Sequence, residues 1–148
     1  MTSNNEIVMK IDNQFLIETN VKILKRHRRR TGKKVYIGTI PKNLARVFPK
    51  VSCYGTSGNR EQDLIEKAAC IISMIPWVQA FLDGNRRTSI IGAGTFLRDN
   101  GYELEIDIDD ENLELRGMLS EIKKHARDLE PNIMEQLILY TSERVRSL

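Results

Sequence analysis

Between Asn85 and Asp99 the apolar residues do not keep to one stripe. Past the first turn of the helix this run predicts, Ile90, Ile91, Ala93, Phe96 and Leu97 cover most of its sides. A helix of that kind belongs at the centre of a bundle, with amphipathic helices around it, and the flanks supply them. Leu64, Ala68, Ile71, Ile72 and Ile75 recur at helical spacing from about Gln62, and Pro76 sets the approximate end. Phe15, Leu16, Val21 and Leu24 predict an earlier helix from Ile11 to about Arg29. Leu115, Met118, Leu119 and Ile122 predict another over Glu111 to Arg127. A last helix opens at Pro131 and turns Ile133, Met134, Leu137, Ile138 and Val145 inward. Buried strands between the helices are missing, which excludes a doubly wound α/β fold. The expectation is a mainly α bundle around one central buried helix.

Small β decorations fit the remaining segments. Lys34 to Gly38 reads as a short strand or an extended linker, and Pro41 to Val47 as a short helix. Pro49 to Arg60 reads as loop or hairpin, with the turn residues at Gly55 to Asn59. Asn100-Gly101 stops the central helix, and Tyr102 to Ile108 alternates apolar with acidic residues as a short exposed strand does. With 148 residues, 41% of them hydrophobic, the chain is long enough for one domain with a real core. No apolar run reaches the ~18 residues of a membrane span, and no secretory core follows the polar start. Cys53 and Cys70 share no metal-ligand spacing with each other or with His27 and His125. They read as reduced thiols of a cytoplasmic protein.

The segment that opens the central helix carries the chemistry. In Gln79-Ala80-Phe81-Leu82-Asp83-Gly84-Asn85-Arg86-Arg87-Thr88, Asp83 and Asn85 are capping residues. Gly84 removes side-chain bulk, so that backbone N–H groups can approach an anion at the positive end of the helix dipole. Arg86 and Arg87 follow in the first turn, where cations oppose that dipole, and an anion there would offset them. A carboxylate just before the glycine can hold Mg²⁺ bridging phosphate oxygens. These are the parts of a phosphoryl- or nucleotidyl-transfer site. The alternative is a well-capped helix with solvated arginines.

The order of residues resembles the signature of the Fic/Doc family (filamentation-induced-by-cAMP and death-on-curing proteins), roughly H-x-F-x-[D/E]-G-N-[G/K]-R-T. Phe81, Asp83, Gly84, Asn85, Arg87 and Thr88 match it. The resemblance extends over about Leu64 to Leu104, taking in the helix before the loop and its continuation from Phe96. It implies a Fic-type helical bundle with a small β-hairpin flap, and ATP-dependent modification of a target protein hydroxyl with Mg²⁺ as cofactor. By the same resemblance Phe81 anchors the loop, Asp83 is the Mg²⁺ ligand, Gly84 and Asn85 form the anion cradle, and Arg87 contacts the nucleotide phosphates. Val51 to Gly58 falls where the family places its flap, which pairs with the target as an added strand.

Two positions depart from the pattern. The family's proton-accepting histidine should stand at position 79, where this chain has Gln79. An amide has no useful basicity, and a positioned base contributes about 10²–10⁴-fold. At position 86 the adenylylating members have glycine and the Doc-like members lysine; Arg86 favours the Doc-like side, for which the resemblance implies transfer of the γ-phosphate. Small single-domain Doc-like proteins imply a toxin–antitoxin setting with a separate antitoxin chain. Three readings stay open: a transferase in which water or a partner's residue replaces the base, a pseudoenzyme that still binds nucleotide or partner, and a binding module.

The last of these rests on charge. No acidic residue stands between Glu18 and Glu61, whereas Lys22, Lys25, Arg26, Arg28, Arg29, Arg30, Lys33 and Lys34 crowd one stretch. That 22–34 face could meet nucleic-acid phosphates or an acidic partner, without the aromatics that read bases. An acidic run follows from Glu103 to Glu114. Gly92-Ala93-Gly94 lies within the central helix and reads as close packing against Ala68 and Ala69. Thr2 to Glu6 is similar to the family's inhibitory S/T-x-x-x-E motif but has Ile7 where Gly or Asn follows, and reads as a frayed terminus.

Overall fold

The computed structural model describes residues 6–108, 113–124 and 129–148. Helix α1 spans Asn13–Thr31. Asp12 caps it, accepting from the Phe15 N–H at 2.8 Å, and Gly32 closes it in the left-handed conformation. Two short helices follow, α2 over Pro41–Leu44 and α3 over Val47–Val51, where one was expected. Helix α4 covers Arg60–Val78, capped by Asn59 with Glu61 and Asp63 in its first turn. Helix α5, Asn85–Asp99, has the predicted bounds. Strand β1 (Tyr102–Leu104), α6 (Leu113–Lys123), α7 (Pro131–Ser142) and β2 (Val145–Ser147) complete the chain.

The bundle is mainly helical, with α5 packed along α4 and against α1 and β1, but the most enclosed helix is α4, which is buried without a break from Ala68 to Pro76 and also packs on α2, α3, α6 and α7. Ile90, Ala93, Phe96 and Leu97 are buried on α5, together with the hydroxyls of Thr88 and Ser89. Gly92 sets the approach distance. A Cβ there would come within 3.0 Å of Leu16 Cδ2 and 3.6 Å of Ile71 Cγ2, so α1 and α4 close on α5 over a missing side chain. The glycine's neighbours are thus Leu16 and Ile71, where the sequence suggested Ala68 and Ala69.

Several expectations need correction. Pro76 marks the end of α4 only approximately, since the helix runs two residues on to Val78. A proline forfeits one ladder bond, but Ile75 and Val78 on either side of it are buried in the core, and that packing holds the last turn. Val145 does not extend α7. It lies in β2, antiparallel to β1 and opposite Leu104, and β1 stops well short of Ile108 because its partner is equally short.

The hairpin flap is not at Val51 to Gly58. That stretch is the end of α3 followed by turns that α4 pins from beneath. The Asp63 carboxylate accepts from Ser57 Oγ at 2.6 Å, Ser57 N at 2.9 Å and Gly58 N at 3.0 Å, and Lys67 Nζ donates to the Tyr54 carbonyl at 2.7 Å. The Ser57 hydroxyl bond above all holds the Asp63 carboxyl below its ordinary pKa. Turn residues were read correctly, but their partners are polar side chains of a helix and not a second strand. Glu111, Asp109, Asp110, His125, Arg127 and the Thr2–Asn5 part of the inhibitory-motif reading lie outside the described residues.

Candidate functional site

Helix α4 ends in a left-handed turn at Gln79, with φ 55° and ψ 62°. It is the one non-glycine with positive φ among the described residues. Its side-chain amide folds back and donates to the Pro76 carbonyl at 2.7 Å, and Asn43 Nδ2 donates to its backbone carbonyl at 3.1 Å. The chain then runs beside the segment after α1. Ile40 N donates to the Ala80 carbonyl at 2.8 Å and Leu82 N to the Gly38 carbonyl at 3.0 Å, bracketing a bridge between Thr39 and Phe81. The extended strip that borders the motif is therefore Gly38 to Ile40.

Phe81 is 1% exposed and anchors the loop. Its backbone is held from the side by Asn85, whose Oδ1 accepts the Phe81 N–H at 3.0 Å and whose Nδ2 donates to the Phe81 carbonyl at 2.9 Å. The side chain of Asn85 thus shapes the loop, so that what the residue could offer an anion is its backbone N–H. From α1 the buried Asn20 donates to the Asp83 carbonyl at 2.8 Å and to Thr88 Oγ1 at 3.1 Å, tying the loop to the first turn of α5.

Gly84 occupies the N-cap of α5 at φ 75°. A Cβ there would stand 3.0 Å from Leu24 Cδ2 and 3.2 Å from Asn20 Nδ2, so conformation and space both demand glycine. Gly84→Ala is expected to cost about 1–3 kcal/mol and to weaken anion binding at the loop. Thermal unfolding and phosphate titration of the variant check this.

All six predicted positions, Gln79, Asp83, Gly84, Asn85, Arg86 and Arg87, line one cavity of about 520 Å³. Its other walls were not foreseen. Lys33 and Lys34 come from the segment after α1, and Arg116 and Lys123 from α6, so that among the described residues the cavity lining is strongly positive, with Asp83 as its one carboxylate. Such a concave basic surface focuses potential onto anions. Arg116, Ser120 and Lys123 recur at helical spacing on a face of α6 that adjoins the buried stripe of Leu115, Leu119 and Ile122, a pattern that was available in the sequence. The basic 22–34 stretch is divided. Arg28, Arg29 and Arg30 stay exposed, whereas His27, Lys33 and Lys34 reach the cavity. His27 Nδ1 lies 2.7 Å from Arg87 Nη1, a contact between residues 60 apart that no local pattern signals.

Asp83 accepts from Gly84 N at 3.2 Å and from Tyr36 N at 3.4 Å, both long bonds. Among the described residues no group of three or more His, Cys, Asp or Glu side chains is placed to hold a metal. A lone carboxylate beside an anion cradle fits Mg²⁺, which commonly takes one or two protein carboxylates and completes its shell with substrate phosphates and water. Asp83 is therefore suited to a metal shared with a bound polyphosphate.

The profile of the Fic/DOC family matches residues 10–97, from just before α1 through most of α5, with the whole cavity loop inside it. The chain belongs to the Fic/DOC family. It is also similar to a protein named Toxin Doc from Mycolicibacterium smegmatis, with 32% identity over 82 residues. That match covers 55% of this chain and 60% of the relative. No solved structure matches it. Against the family pattern, Gln79 and Arg86 remain the two departures, and both face the cavity. No helix among the described residues is long and apolar enough to cross a membrane.

Proposed function

We propose that this Fic/DOC chain is a Doc-like, toxin-type transferase that binds ATP or another nucleoside triphosphate and modifies a hydroxyl of a target protein in the cytoplasm, with an antitoxin chain as its regulator. The observation that carries the reading is the convergence of the motif loop, the start of α5 and basic side chains from two further elements on one cavity. Backbone N–H groups at Gly84 to Arg87 receive phosphate oxygens at the helix start. Arg87 adds charge-assisted hydrogen bonds. Arg86 fills the space that adenylylating relatives leave open, which favours γ-phosphate transfer over transfer of the nucleotide monophosphate. Asp83 would hold Mg²⁺, whose charge would stabilise the phosphate oxygens as the bond to the leaving group breaks.

Activation of the acceptor hydroxyl is the weak step. Gln79 stands at the base position, and its amide is engaged by the Pro76 carbonyl. That contact favours a second reading, a pseudoenzyme that retains nucleotide binding.

Titration with MgATP tests both. Arg87→Ala should weaken binding roughly 10–100-fold, the equivalent of one charge-assisted hydrogen-bond group. Unchanged affinity in that variant would remove the nucleotide reading of the loop. In the native chain, slow transfer from γ-labelled ATP supports the phosphotransferase, transfer only from α-labelled ATP supports adenylylation, and binding without either supports the pseudoenzyme.

A further inference from the structure

The cavity receives an imidazole that the motif does not supply. His27, on α1, meets Arg87 at 2.7 Å through Nδ1. A guanidinium has only donors and stays charged at any working pH. Nδ1 must therefore be the acceptor, and the ring proton sits on Nε2. In this arrangement His27 does not replace the base missing at position 79, because its one lone pair is spent on Arg87.

We propose that His27 is a positioning residue for Arg87, holding the guanidinium toward the phosphate site without cancelling its charge. The inference rests on the nucleotide reading of the cavity. Arg87 stands in the first turn of α5, where the helix dipole disfavours a cation, and its neighbours on the wall include Arg86, Lys33 and Lys34. A long side chain so placed would swing away from the other cations unless something held it. A carboxylate would hold it by neutralising it, which would take away part of the charge that binds phosphate. A neutral imidazole supplies direction alone. The ring is itself well placed for this. Asn20 and Leu24, about two turns and one turn back along α1, contact or closely approach the motif loop, so α1 is already docked there.

The test compares MgATP affinity of the full chain with His27→Phe, His27→Asn and Arg87→Ala. Asn sets an oxygen acceptor where the imidazole has Nδ1. His27→Phe should bind about tenfold more weakly, and His27→Asn should stay within about threefold of the native chain. In the Arg87→Ala background His27→Phe should have no further effect, since its partner is gone. Equal losses in Phe and Asn variants, no loss in either, or losses that multiply with Arg87→Ala would each overturn the proposal. A second readout needs no nucleotide. Imidazole ¹⁵N spectra of the free protein should show His27 protonated on Nε2 with Nδ1 as acceptor, and a proton on Nδ1 would overturn it. If the native chain binds no MgATP, the nucleotide reading falls, and the spectra alone decide whether His27 holds Arg87.

Discussion

Gln79→His is expected to raise transfer of label from γ-labelled ATP to a protein target by about 10²–10⁴-fold, the usual contribution of a positioned base. The substitution should be structurally cheap. Gln79 is exposed and already holds a left-handed backbone, a conformation in which His is among the better tolerated non-glycine residues. The side-chain contact forfeited is the hydrogen bond to the Pro76 carbonyl, at the surface end of α4. The new imidazole would share a cavity with Asp83 and Arg87. Gln79→Asn is the control, since it alters the side chain without adding a base. Label incorporated by the His variant and not by the Asn variant establishes base deficiency as the defect. If the His variant binds MgATP with native affinity and still transfers nothing from either α- or γ-labelled nucleotide, the chain is a binding protein on a transferase scaffold.

The fold and the centre of the site were legible for one shared reason: both rest on local patterns. The apolar spacing of α4 and α5 placed both helices in the core, and the loop between them offered a candidate anion site, with a capped helix and solvated arginines as the alternative. What escaped reading is carried by contacts between distant segments. His27 looked like part of a basic surface run because nothing near it in sequence announces Arg87. Arg116 and Lys123 were not singled out, and only the packing of α6 makes them part of a cavity wall. The misplaced flap has the same origin. Gly55 to Asn59 announced turns, but whether turn residues pair with a strand or with Asp63 and Lys67 of a helix is a tertiary outcome. Pro76 marked the end of α4 to within two residues, and burial of the surrounding turn carried the helix that far past it.

Asn85 yields the largest expected loss of stability, and it separates two roles that the motif alone leaves joined. Its amide satisfies both backbone groups of buried Phe81, one as acceptor and one as donor. Asn85→Ala would leave a buried N–H and a buried C=O without partners, at about 1–3 kcal/mol each. At this chain length that should lower the unfolding temperature by roughly 5–15 °C. Asn85→Asp divides the pair. A carboxylate still accepts from the Phe81 N–H but repels the Phe81 carbonyl, so it should destabilise the chain even though it keeps the acceptor. Thermal unfolding of both variants, alongside MgATP titration below their melting ranges, provides the comparison. If Asn85 serves the site by shaping the loop, stability and affinity should fall together in both variants. Native stability with lost affinity would instead make the Asn85 side chain a direct phosphate ligand, and the hydrogen bonds to Phe81 would then not govern the loop.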